Sequence, residues 1–519
     1  LGASLKLGAS LKLGASLKLG ASLKLGASLK LGASLKLISA SKEMSAGDIT
    51  TLLDLAPRER QDNDLFPLNT EKTWFSRDPE RRTIPAVPFV ADFNFRGPAA
   101  FGQRFTFDIG SVPCGDMLLG CAVQIRLNHW LDTTTQLYIQ SGRYIYTDTE
   151  NAWYYSNSLG SSIIEKAELE IDGKTIEELD GDFIYAYSCV FIDLNAQFGV
   201  ATDHLGSVSI PSLLTWNPRR LFPTEDGVLH CILPFFFMRQ RLREGLPMIA
   251  IKEGSVRIHV TLRPFHECVR QARGYRFSRE THPFAKTITF KDTTFPFDTL
   301  VNVNTVTTDP GFKSLRLITY GSMIDGKVRD AMLNQPFEIL HRQVQTFTFS
   351  EPLKYAIGKG SGDTVKIQLP LEANHPLEEI IWFIRRKDCA DNNEWTNYSS
   401  VLERQYDPEY NPFDSLLVSA TLQVNGITLC EAEGDYYRDL IARTHKGGYV
   451  SWSHFIYGYP FARHPGEHQP SGTLNASRVQ NLRLTLEIKT SCEWEVKVFC
   501  IGLNWLRLQN GIANLLFKD

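Results

Sequence analysis

The chain has 519 residues, 43% of them hydrophobic and 22% charged, with aromatics at 11% and a formal net charge of −3. That length holds two or three domains with their own cores, and the aromatic content leans towards β-structure, where flat side chains pack on pleated surfaces. The charge balance excludes a global basic field for nucleic acid, and no apolar run approaches the roughly 20 residues of a membrane helix.

Residues 1–37 are six copies of Leu-Gly-Ala-Ser-Leu-Lys and a final Leu. The period divides by two and not by 3.6, so the pattern is that of a strand with lysines on its polar face. One reading is a cationic amphipathic arm for a partner or an anionic membrane surface. The other, favoured by the perfect repetition, is a low-complexity or artificial segment outside the fold. Residues 38–92 are polar and broken by Pro57, Pro67, Pro79, Pro85 and Pro88, which predicts an extended N-terminal arm.

From 93 to 324, strand patterns recur at 104–109, 118–128, 167–171, 229–237, 255–262 and 315–321. Loops rich in Gly, Ser, Thr and Asn separate them, notably 132–162 and 264–312. Short strands with turn signals and few helices predict a sandwich or barrel. Residues 325–342 predict a linker helix opened by Asp325-Gly326, with Val328, Met332, Phe337 and Leu340 on one side and Pro336 as a kink or break.

From 343 to 519 the same order begins again. Strand patterns fall at 347–349, 365–371, 378–385, 420–424, 481–489 and 495–503. The clearest echo joins 167–183 (AELEIDGKTIEELDGDF) to 420–436 (ATLQVNGITLCEAEGDY), identical at seven of seventeen positions. Each copy alternates apolar residues and turns on Asp172-Gly173 or Asn425-Gly426, dipeptides that tolerate positive φ in a tight hairpin. Each closes on Gly181-Asp182 or Gly434-Asp435 and an aromatic. Conserved order with length changes confined to loops predicts a duplicated β-sandwich.

Residues that could carry chemistry have plainer structural roles. His445, His454, His464 and His468 cluster beside Glu467, but no His-x-His pair exists, and Pro465-Gly466 keeps His464 and His468 off one helical face. Glu178 and Asp182, like Glu431 and Asp435, could form an acid/base pair; a shared structural task, with Asp capping backbone donors, is favoured. The Gly358–Gly362 stretch reads as a hairpin loop rather than a phosphate cradle. Asn397 and Asn475 begin sequons, and the nine scattered cysteines read as reduced, buried thiols. No catalytic residue, metal or cofactor is expected.

Several segments, taken in order, are similar to one family. Near the C-terminus they are Gln469-Pro470-Ser471-Gly472, Asn475-Ala476-Ser477-Arg478 and Asn481-Leu482-Arg483-Leu484. The ending Asn504-Trp505-Leu506-Arg507-Leu508, with Gly511 and Leu515-Leu516-Phe517, and the opening Thr73-Trp74-Phe75 complete the set. Together they resemble the major capsid proteins of nucleocytoplasmic large double-stranded DNA viruses, over roughly residues 70–519. The resemblance implies an all-β double jelly roll: two tandem eight-stranded antiparallel jelly rolls with short connecting helices. It implies a structural virion protein, not an enzyme, whose homotrimers form pseudo-hexameric capsomers of an icosahedral shell.

Implied partners are neighbouring capsomers, minor capsid and penton proteins, and an internal viral membrane reached by the N-terminal arm; sequence-specific nucleic acid is not among them. Loops 132–162 and 264–312 would then face outwards. Trp452, Phe455, Tyr457 and Tyr459 become candidate trimer contacts. Residues 1–37 have no counterpart in the family. Rival readings are a carbohydrate-binding or carbohydrate-active tandem jelly roll, which the lack of a metal triad and of paired cysteines disfavours, and a minor capsid paralogue or penton component, the latter disfavoured by the duplication.

Overall fold

The computed structural model describes residues 86–516, apart from 111–113, 129–136, 141–142, 147–150, 193–226, 240–244, 252–254, 274–286, 291–292, 297–310, 325, 335, 351–363, 403–413, 446–454, 467–469, 490–492 and 510. The hexapeptide repeat, residues 38–85 of the expected arm, and Gly358–Gly362 lie outside the described residues.

Sixteen strands among the described residues carry the architecture. The first half holds β1 (Ala86–Phe93), β2 (Arg104–Asp108), β3 (Met117–Leu127), β4 (Ile164–Ile171), β5 (Lys174–Asp180), β6 (Val228–Ile232), β7 (Val256–Leu262) and β8 (Phe312–Ile324). The second holds β9 (Phe337–Ser350), β10 (Thr364–Leu371), β11 (Pro376–Arg386), β12 (Leu417–Val424), β13 (Ile427–Glu433), β14 (Ile456–Pro460), β15 (Leu482–Lys489) and β16 (Trp494–Gln509). Helices α1 (Gly181–Val190) and α3 (Gly434–Thr444) follow β5 and β13, and α2 (Gly326–Asn334) joins the halves.

The first half pairs its strands as β1-β8-β3-β6 and β2-β7-β4-β5, all antiparallel. The second pairs β9-β16-β11-β14 and β10-β15-β12-β13 in the same sense. Every strand has its counterpart eight labels later, so one jelly-roll topology is built twice. Phe95–Arg96, Leu474–Asn475 and Ile512–Leu515 add short strands to β2, β11 and β16.

Burial follows the position of each sheet. Strand β10 (TVKIQLPL) alternates exposed and buried residues, and β15 (LRLTLEIK) alternates buried and half-buried ones, since one face meets the core and the other does not. Strand β11 (PLEEIIWFIRR) is buried at every interior position, because its sheet is covered on both faces.

Several boundaries differ from the sequence reading. Residues 86–92, assigned to the arm, belong to β1, and Pro88 faces Ser322 there. It is tolerated because β1 is an edge strand, where a missing N–H breaks no interior ladder. The linker helix stops at Asn334, and Phe337 and Leu340 lie on β9. Pro336 lacks an amide hydrogen and cannot donate a helical hydrogen bond, so the helix does not continue through it. The 229–237 pattern divides at Pro234 into β6 and a helical turn, Phe236–Arg239.

The two long loops contain ladders of their own. Leu137–Gln140 pairs with Arg143–Tyr146, and Thr287–Phe290 with Thr293–Pro296. Asn151–Tyr155 pairs with Val269–Arg273, tying one loop to the other.

Candidate functional site: the joint between the two rolls

The joint begins with the hairpin that the sequence repeats. Asp172 and Gly173 take φ of 53° and 74°, the left-handed pair that reverses β4 into β5 with matching twist. Gly181 then opens α1 where no side chain fits, since a Cβ would lie 2.3 Å from the Ile164 carbonyl oxygen and 2.5 Å from that of Ser161. The helix is capped by Asp180, whose carboxylate accepts from the Phe183 amide at 2.7 Å. Capping was the task expected of Asp182, but Asp182 lies inside the helix and its side chain points into the second roll.

There it meets Arg385 of β11. The guanidinium donates to both Asp182 carboxylate oxygens at 2.8 and 3.3 Å, and also to Glu495 at 2.8 Å and the Trp395 carbonyl at 3.0 Å. Lys497 of β16 donates to Asp180 at 2.8 Å and to Asp182 as well. Burial alone would raise the Asp182 carboxyl; Arg385 and Lys497 outweigh it and hold that carboxyl below the usual range. Burial raises Asp180, despite Lys497 and with the Asp182 charge adding to the rise. Burial disfavours the Arg385 cation, yet Asp182 and Glu495 hold it firmly charged.

Apolar and neutral contacts surround this cluster. Phe183 meets Phe499 edge-on at 5.2 Å, and Tyr185 meets Tyr398 at 6.1 Å. Trp395 donates its indole N–H to the Glu267 carbonyl at 2.8 Å beneath the Arg263 guanidinium, 3.9 Å from the ring. Asn393 donates to the His266 and Val269 carbonyls at 2.7 and 2.8 Å. Arg239, paired to buried Glu177, donates to the Arg342 carbonyl at 2.6 Å. The Ala513 amide donates to Asp172 at 3.3 Å, hooking the C-terminal strand beneath the first hairpin. These groups bind one another, and the arrangement positions sheets rather than reactants.

The second copy of the hairpin has no such seat. Asn425 and Gly426 repeat the turn with φ of 49° and 81°, and Gly434 opens α3. Asp435, however, is 90% exposed, with Arg438 at 3.7 Å as its ion-pair partner among the described residues. Tyr436 and Leu429 are 50% and 44% exposed, and Ile427 is exposed beside them. Helix α3 holds to its own roll through Tyr437, whose hydroxyl donates to the Ala420 carbonyl at 2.9 Å and whose ring meets Trp382.

Two of the expected intersubunit aromatics lie inside the roll. Phe455 is buried under Arg438, and Tyr457 is buried with its hydroxyl bonded to Ser415 at 2.5 Å. Both belong to the core because β14 is roofed by α3. Tyr459 is half-buried against Phe461, and Trp452 lies outside the described residues.

His445 bonds Glu379 in the interior and His464 binds Ser471 through its backbone, while His454, Glu467 and His468 are outside the described residues. No group of three metal-ligating side chains occurs among the described residues. Asn397 is buried with its amide donating to Glu394 and the Val401 carbonyl, closing that sequon to modification in the folded chain. The eight described cysteines are free thiols. Arg385, Lys497, Asp180 and Phe499 were not anticipated as a site. A signal existed in the unbroken apolar run 380–384 ending on Arg385, a pattern that requires two buried faces.

Comparison with known proteins agrees with this architecture. Residues 73–293 match the family model for the major capsid protein N-terminus, and residues 329–514 match that for the large eukaryotic DNA virus major capsid protein. A major capsid protein of Phaeocystis pouchetii virus is 22% identical, across 87% of this chain and 96% of its own length. One from Paramecium bursaria Chlorella virus 1 is 23% identical, across 63% of this chain and 67% of its own. Among solved structures, PBCV-1 VP54 matches with a TM-score of 0.61 at 17% identity, covering 86% of this chain and all of VP54. The Faustovirus major capsid protein matches with a TM-score of 0.60 at 12% identity, covering 89% of this chain and 96% of its own.

Proposed function

The chain belongs to the major capsid proteins of large eukaryotic DNA viruses, and on that footing we propose that three copies form a pseudo-hexameric capsomer of an icosahedral shell. The observation that carries this reading is the duplication: two rolls with the same sheet order, locked by a buried joint. A rigid pair of like lobes lets a threefold assembly present six similar corners to its neighbours. The work is mechanical rather than catalytic, and the charged groups of the joint serve as fasteners.

In the virion, other capsomers would abut its sides, and minor capsid and penton proteins would complete the shell. Loops 132–162 and 264–312 would form the outer surface. Residues 38–85 would run on the inner side towards an internal membrane. Light scattering on the purified chain tests the first step: a particle of three times 58.7 kDa is expected, with a hexagonal outline by electron microscopy. A monodisperse monomer at every concentration would refute it.

A further inference from the structure

The chain carries both halves of its joint twice, and uses one of each. Strand register establishes the equivalence without reference to side chains. In the second roll Gly502 faces Leu377, Lys497 faces Phe383 and Glu495 faces Arg385. In the first roll Gly321 faces Leu118, Arg316 faces Gln124 and Ser314 faces Arg126. A bulge interrupts both ladders at the corresponding step, beside Gly502 and Gly321. Arg126 therefore takes the place of Arg385, Arg316 that of Lys497, and Ile318 that of Phe499.

The hairpins correspond through their turns, Asp172-Gly173 and Asn425-Gly426. Asp435 thus takes the place of Asp182, Glu433 that of Asp180, and Tyr436 that of Phe183. The acids of the hairpin, the cations of the sheet and the ring of the helix recur, while Phe499 is replaced by Ile318 and Glu495 by Ser314. Within one chain these second halves do not meet. Asp435 and Tyr436 project from α3 into solvent; Arg126 is exposed on β3, and Arg316 is paired with Asp92 at 2.6 Å. Val90 and Tyr320, 60% and 46% exposed on the same outer sheet face, form an apolar surface that is open among the described residues.

We propose that the two exposed halves are one contact between copies. The α3 end of one chain seats on the outer β3–β8 face of the next, with Asp435 against Arg126 and Arg316, and Tyr436 over the exposed Val90 and Tyr320 that flank buried Ile318. This rests on the self-assembly reading above and gives it residues. The occupant is a second copy because the internal joint already shows what fits a face with two cations at these register positions. The acidic edge formed by Glu431, Glu433 and Asp435 also complements its cations. Such a contact is head-to-tail and generates a ring when its rotation closes. The Asp92–Arg316 pair must open or share its proton donors on docking, which makes the contact between copies the more reversible of the two.

The test is a charge swap in the full-length chain, read by size-exclusion light scattering and sedimentation over a dilution series. Asp435→Arg and Arg126→Glu alter exposed side chains, so circular dichroism should remain that of the wild type. Each should raise the concentration of half-dissociation by about tenfold or more. The double variant, with both charges exchanged, should return it to within about threefold of wild type. A wild-type chain that stays monomeric overturns both the trimer and this pairing. A wild-type trimer indifferent to both reversals, or not restored by the double variant, overturns the pairing alone.

Discussion

Asp182 and Asp435 occupy the same step of the same hairpin–helix unit, one sealed between sheets and the other in solvent. The backbone around them is alike, since both follow a left-handed Asx-Gly turn, an antiparallel return strand and a helix-opening glycine. What differs is the surface opposite. The first unit faces Arg385, Lys497 and Phe499, whereas among the described residues the second meets no such set from the other roll. A duplicated motif thus preserves its conformation through local chemistry, while its energetic weight is set by whatever sheet it meets.

The contrast breaks most visibly if a fastener is removed. Arg385→Ala leaves Asp182 buried with Lys497 as its hydrogen-bonded cation and Arg263 near it, and losing one partner of a buried pair costs about 3–5 kcal/mol. Phe183→Ala should cost a similar amount, about 3–5 kcal/mol, through the cavity it leaves against Phe499. Both should appear as a large drop in the urea midpoint. Arg126→Ala and Tyr436→Ala, at the matching positions, should leave that midpoint unchanged for the dissociated chain and alter only association. Equal losses at both sets would mean that the second halves are also structural within one chain.

Acidity sharpens the comparison at a smaller scale. His341 on β9 lies against Phe236 of the first roll at 4.9 Å, and burial, reinforced by Arg239 and His375, lowers its pKa from 6.5 to about 3. In this window the unfolded chain binds a proton that the folded chain refuses, so stability falls as pH drops from about 6.5 to about 3. The slope from this one group is about 1.4 kcal/mol per pH unit. Glu177 and Asp180, raised by burial, act in the opposite sense, so the readout is a difference. His341→Phe should flatten the wild-type profile by that slope, measured as urea midpoint against pH. Asp182, depressed, contributes fully above about 3.9 and loses its contribution only below that value.

Much of the fold was legible because a strand displays its period of two in the sequence. The alternation of β10 and β15 and the two Asx-Gly turns identify strands and hairpins from local text alone. The linker helix was half legible: Pro336 marked the break, but Phe337 and Leu340 fit a helical spacing as readily as β9, and only pairing with β16 decides between them. The joint was illegible for a different reason. Asp182 and Arg385 stand 203 residues apart, and the motif that buries one acid exposes its twin. Phe455 and Tyr457 misled because aromatic loop residues suggest surfaces, whereas α3 roofs them. No local pattern announces such a roof.

The smallest expected effect lies where the two copies remain alike. Gly173 and Gly426 have φ of 74° and 81°, and a Cβ added at either meets nothing within 4 Å. Sterics with neighbours therefore contribute nothing, and only the left-handed backbone penalises a side chain there. Gly173→Ala and Gly426→Ala should each cost about 1 kcal/mol, read as equal small decreases in thermal midpoint. The equality is the informative part, because Asp172 and Asn425 beside them serve different partners. Asp172 accepts from Ala513 across the joint, while Asn425 accepts from Gln480 and Asn481 within its own roll. Were Gly173→Ala markedly worse, the turn would be transmitting strain to the joint, and the separation between local conformation and opposing surface would fail at its simplest point.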